Sequence, residues 1–138
     1  METIKVILLT ILTPLLISSG CEEDSGESIE CKDLFELEIQ ESCTFNPERN
    51  TVDTFIEANG IYETVQLTST KTVSVIRPES KTDNMPTDVV VPCNFPSFNF
   101  KEGQELVFSG NLMETFPTEN VIGAQLELTS LKIKCKDK

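Results

Sequence analysis

The chain has 138 residues and a formal net charge of −12, with twenty-three acids against eleven bases and no histidine. That balance disfavours nucleic acid and anionic lipid headgroups as partners, since both need a basic stripe to neutralise phosphate. Without histidine, Ser-His-Asp and Cys-His nucleophile systems and His-based metal sites are excluded.

The first element in chain order is a leader. Lys5 precedes an uncharged apolar run from Val6 to Ile17, then Ser18, Ser19, Gly20 and Cys21. A positive n-region, a short apolar core and small residues before the cut define a secretory signal. The run is twelve residues long and interrupted by Pro14, well short of the roughly 20 a membrane span needs, and no later stretch comes closer, so no transmembrane helix is expected in the mature chain. LLISSGC resembles the lipobox of bacterial lipoproteins, with Ser18 where leucine is commonest. The resemblance implies cleavage before Cys21, a diacylglyceryl group on its sulfur and acylation of the new amino terminus. Two or more acyl chains anchor stably where one is marginal. Residues 1–20 are thus expected to be a lipoprotein signal peptide and Cys21 the lipidated residue, with the mature protein exported and held at the outer membrane or cell surface; the plain alternative is an ordinary secretory signal followed by an incidental cysteine.

Residues 21–30 read as the lipidated cysteine and an acidic tether, because Glu22–Glu30 carries five acids and no base. Such a segment cannot bury enough surface to offset its ordering entropy. The opening CEED resembles the surface-export signal of Bacteroidota lipoproteins, though a charged spacer has the same composition. Beyond the tether, Cys31, Cys43, Cys93 and Cys135 form an even set in an exported domain, which predicts two disulfides in one of three connectivities. Cys31 and Cys135 lie near the two ends of the domain, on what could be neighbouring terminal strands, so the preferred pairing is Cys31–Cys135 with Cys43–Cys93. A zinc site would want a C-x₂-C pair or histidine and has neither, and no metal or other cofactor is expected.

Residues 31–138 are expected to form one β-domain. Phe35, Leu37 and Ile39 alternate with Glu36, Glu38 and Gln40, the period of a half-buried strand. Around Asn46–Phe55, Pro47 and nearby acids permit a helical turn, a 3₁₀ turn or a loop. Asn59–Gly60 sits between two apolar-rich arms and predicts a hairpin, because both residues accept positive φ. KTVSVIRP and DVVVP read as strands ended by proline, followed by FNF, a turn at KEGQ, and strands in ELVFSGNLME and IGAQLELTSLKIKC. In the last of these the apolar face switches near Ser130, which points to a bulge, and Lys132, Lys134, Lys136 and Lys138 share one face as charges on an edge strand. Seven or eight short antiparallel strands with Gly, Pro and Asn turns give an all-β barrel or sandwich, an OB-like barrel among the options.

The segment Val89–Ile133, with a cysteine followed by Asn, an apolar residue and Pro, then a glycine turn, V-x-F-S-G and a closing E-L-T, resembles the C-terminal half of small uncharacterised Bacteroidota lipoproteins. The resemblance implies a compact β-domain and brings no assigned activity. Candidate chemistry is sparse. Glu36, Glu38 and Glu41 are the densest acids for a carboxylate-pair hydrolase, but alternation puts them towards solvent. Asp83, Asn84 and Asp88 share a loop that lacks the order of a calcium site and suits a plain turn. Phe95, Phe98 and Phe100 are either core or, if Pro92, Asn94, Phe95 and Pro96 form an exposed loop pinned by Cys93, a binding patch. The sequence therefore points to a lipid-anchored, non-catalytic binding or accessory module with an envelope protein as partner. Two alternatives are an inhibitor of a secreted or periplasmic protease or lysozyme, which should expose Pro92–Pro96, and a carboxylate-dependent hydrolase, which needs two acids in a pocket.

Overall fold

A computed structural model describes residues 33–135. The signal-peptide, lipidation and tether assignments on residues 1–30, Cys31, and Lys136 and Lys138 lie outside the described residues. Six strands are present: β1 (Leu34–Leu37), β2 (Thr51–Gln66), β3 (Thr72–Pro78), β4 (Val90–Pro92), β5 (Glu105–Met113) and β6 (Ala124–Lys134). They pair in the order β1-β6-β4-β3-β2-β5, and β5 also pairs with β6. Strands β2 to β6 therefore close into a five-stranded barrel, which excludes the sandwich, and β1 is an extra strand laid on β6. All pairs are antiparallel except β4 with β6.

Alternation fills the barrel. On β5, Leu106, Phe108 and Leu112 point inward and are wholly buried, and Ile76, Leu126, Leu128, Leu131 and Ile133 meet them from the neighbouring strands. On β6 the pairing steps from Ser109↔Ser130 to Gly110↔Leu128, leaving Thr129 as the extra residue. That bulge turns Leu131 and Ile133 back to the inside after Leu128, as the switch of apolar face near Ser130 requires.

Several sequence expectations are corrected. The strands number six because β2 runs unbroken through Asn59–Gly60, where a hairpin is expected. Here the glycine serves close packing: a Cβ on Gly60 would lie 2.7 Å from Ile76 Cγ2 and 3.0 Å from Phe108 Cε1. The real reversal comes at Leu67–Lys71, tied by Leu67 N–H to Lys71 O at 2.8 Å. Asn46–Phe55 holds no helical turn; bends at Asn46 and Pro47 lead into extended β2. Phe98–Phe100 forms no strand. KEGQ is a turn, with Gly103 at φ 77°. Lys132 and Lys134 face outward but not on an edge, because β5 and β1 flank β6 there. The Cys43–Cys93 disulfide forms, with Cα atoms 5.8 Å apart, so one of the two expected bridges is described; the Cys31–Cys135 pairing rests on Cys31, outside the described residues.

Candidate functional site

The strand directions give the barrel two distinct ends. At the base lie the last residues of β2 and β6 and the first of β3 and β5, while the three residues of β4 run beside the start of β6. Leu34 pairs with Lys134, so the chain enters the fold at the base. This half is filled by the segment after β4. Phe95 packs edge-on to Tyr62 and Phe100, Phe100 stacks on Tyr62 with ring centres 4.9 Å apart, and Phe98 contacts Phe100 and Phe35. Gly103 N–H donates to Tyr62 O and Tyr62 N–H to Gln104 O, sewing the end of the segment to β2.

Of the sequence-selected loop, Pro92 and Asn94 are buried, Phe95 and Pro96 half-buried, and Cys93 and Ser97 exposed. Asn94 is 7% exposed. Its amide nitrogen donates to Leu128 O and Glu41 O, both at 2.9 Å, and its oxygen accepts from Leu128 N–H at 2.8 Å. These bonds continue β4's pairing with β6 where β4 itself has ended. The segment is thus bound into the fold through Pro92 and Asn94, while Cys93 and Phe95–Ser97 keep surface that lines a pocket.

At the opposite end, the crown, the β3–β4 loop and the β5–β6 loop wall a groove of about 540 Å³. Asp83, Asn84, Pro86 and Thr87 line one wall, with Glu114, Phe116, Asn120 and Val121 on the other and Val52 between them. Thr87 Oγ1 donates to Ile122 O at 2.7 Å, joining the walls, and Asn84 Nδ2 donates to Val52 O at 3.2 Å. Arg49, just before β2, fastens the far wall. Its guanidinium bonds both carboxylate oxygens of Glu119, one at 2.8 Å, and Glu114 O at 2.9 Å, and it lies 4.7 Å from the centre of the Phe116 ring. Those Arg49 hydrogen bonds first, and the Phe116 N–H second, pull the Glu119 pKa down to about 2. Glu114 Oε1 accepts from Asn50 N–H at 2.9 Å and from its side-chain amide at 3.0 Å.

Of the expected acidic candidates, Glu38 and Glu41 line one pocket of about 450 Å³ beside Cys93–Ser97, and Glu36 does not. Glu36, Glu38 and Glu41 are exposed. In the Lys81–Asp88 loop, Asp88 turns to Lys81 at 2.8 Å and more distantly to Arg77, while Asn84 turns to β2. Among the described residues no three Cys, Asp or Glu side chains gather as a metal site. No helix among them is long and apolar enough to cross a membrane. The crown groove, by contrast, has no local signature in the sequence, since Arg49 and Glu119 are brought together only by barrel closure. No protein-family model, curated protein or solved structure matches this chain.

Proposed function

We propose that this chain is a lipid-anchored envelope lipoprotein of the Bacteroidota type, whose OB-like barrel is a non-catalytic binding or accessory module that engages its partner through the crown groove. The observation carrying this reading is the position of the groove: the chain enters at the base, beside Lys134, while the groove opens at the other end between two tied loops. A barrel tethered through Cys21 would present that end away from the bilayer. The OB-like assignment is supported by strand order. Taking β2 to β6 as first to fifth, the pairing runs first-second-third-fifth-fourth-first with the third and fifth parallel, a Greek-key barrel of the kind that binds ligands with its loops.

The inhibitor reading has mixed support, because Pro92 and Asn94 are buried while Cys93 is exposed and Phe95 and Pro96 are half-buried beside a second pocket. A carboxylate hydrolase needs a raised acid as proton donor, and Glu119, the groove acid whose pKa is shifted, is pushed the opposite way.

Two measurements test the proposal. Intact mass of the membrane-extracted protein should show acyl chains on a mature chain beginning at Cys21; an unlipidated mass overturns the anchor. A photoreactive benzophenone amino acid at Asn120 or Asn84 should give a discrete crosslinked product in intact cells, and the same group at Ser69, at the base, should not. Equal crosslinking at both ends, or none at the crown, overturns the groove as the contact surface.

A further inference from the structure

Resting on the reading of the groove as the binding surface, we infer that its ligand is an extended, lysine- or arginine-bearing polypeptide segment of another protein. The groove's charges are unbalanced on both walls. Arg49 is committed to Glu119, and Lys81 is engaged by Asp88. That leaves Asp83 on the β3–β4 wall, whose carboxylate makes no hydrogen bond or ion pair with a described residue, and Glu114 on the β5–β6 wall, which accepts from the neutral Asn50 donors on one oxygen and shares the attraction of Arg49 with Glu119, so three carboxylates stand against one guanidinium. Beside these carboxylates the lining mixes apolar Val52, Phe116, Pro117 and Val121 with polar Asn84, Thr115 and Asn120. A long cationic side chain matches this pattern, since its methylene stem covers apolar surface while its tip stays with the carboxylates.

Other ligand classes fit less well. Nucleic acid is repelled by the same carboxylates. A saccharide would want an open aromatic face, and the groove's one ring, Phe116, has Arg49 stacked on it, while the chain has no tryptophan. The chain's own segment Glu22–Glu30 has the groove's sign and leads into the base. Volume agrees with a short stretch of peptide, because about 540 Å³ lies in the range of sites that take small ligands.

The test uses the full chain in non-ionic detergent and a fluorescein-labelled nonapeptide alternating lysine with valine, read by fluorescence anisotropy. Matched probes carry glutamate or glutamine in place of lysine. The lysine probe is expected to bind, more weakly as salt rises, and the glutamate probe is not. Asp83→Asn with Glu114→Gln keeps Glu114's acceptor for Asn50 and should weaken binding about fivefold or more, the scale of two exposed ion pairs. Glu36→Gln with Glu38→Gln removes the same charge from the base half and should leave the affinity unchanged. Equal weakening by both pairs, or preference for the glutamine probe, overturns the inference. An Asn120 crosslink in cells without lysine-probe binding overturns the ligand class alone, whereas loss of both also removes the groove reading. Self-association that depends on Asp83 and Glu114 would make the occupant a second copy of this chain and overturn an external partner.

Discussion

The Arg49 guanidinium spans both carboxylate oxygens of Glu119 across 70 residues of sequence, fixing the β5–β6 loop to the start of β2. Because the carboxyl is held near 2 in the folded protein against about 4.5 ordinarily, the sign of its linkage is clear. A lowered folded pKa contributes stability above the unfolded value and loses it as pH falls towards the folded one. Thermal unfolding should therefore show the native chain more stable than Glu119→Gln at about pH 6, with the two converging as pH drops from about 4.5 to about 2. A constant difference across that window would mean the pair does not act through ionisation.

Asn94 carries a different load, bridging β6 and the stretch after β1 from a buried position. Asn94→Ala strands Leu128 N–H and two carbonyls and should cost about 2–4 kcal/mol, seen as a lower denaturant midpoint. Asn94→Asp separates shape from donation: a carboxylate can still accept from Leu128 N–H but cannot donate to Leu128 O or Glu41 O. Its loss should be large at neutral pH and partly recovered in acid, where the protonated group donates again.

The Cys43–Cys93 bridge closes a loop of 50 residues that contains all of β2, β3 and β4. Loop entropy gives about 4 kcal/mol for that length, and measured bridges more commonly about 2–4. Cys43→Ala with Cys93→Ala should lower unfolding free energy by that amount. Asn94 follows Cys93 directly, so hydrogen exchange at Leu128 N–H should also rise; unchanged exchange there would show that Asn94 holds β6 without help from the disulfide.

Wherever a strand's environment is set by its own alternation, it is legible in the sequence. β3, β5 and β6 lie inside the stretches that read as strands, and the bulge at Thr129 is visible as the point where Leu128 and Leu131 break the period of two. Partners distant in the chain left no such mark. Arg49 looks like a surface charge until closure brings Glu119 and Phe116 to it, and the aromatics at 95, 98 and 100 can be placed as filling only once Tyr62 is known to face them. Asn59–Gly60 misleads for a related reason. Its local chemistry permits a reversal, but Ile76 and Phe108, from two other strands, require the glycine in an extended one.

That distinction can be measured at two neighbouring positions. Gly60→Ala places a methyl 2.7 Å from Ile76 Cγ2, 3.0 Å from Phe108 Cε1 and 3.1 Å from Arg77 O. Ile76 and Phe108 are wholly buried and have no room to yield, so the substitution should cost about 1–3 kcal/mol. Three residues earlier Glu57 occupies φ 45° at the bulge in β2, a left-handed conformation that costs a non-glycine residue about 1–2 kcal/mol. Glu57→Gly relieves that strain but gives up the exposed pair with Lys132 at 3.1 Å, worth about 0–1 kcal/mol, and adds unfolded-chain freedom of similar size. The net change should stay within about 0.5 kcal/mol. Denaturant unfolding of both variants decides whether β2 is governed by packing at Gly60 rather than by turn propensity: a Gly60→Ala chain as stable as the native one, or less affected than Glu57→Gly, would put the constraint back in the local backbone.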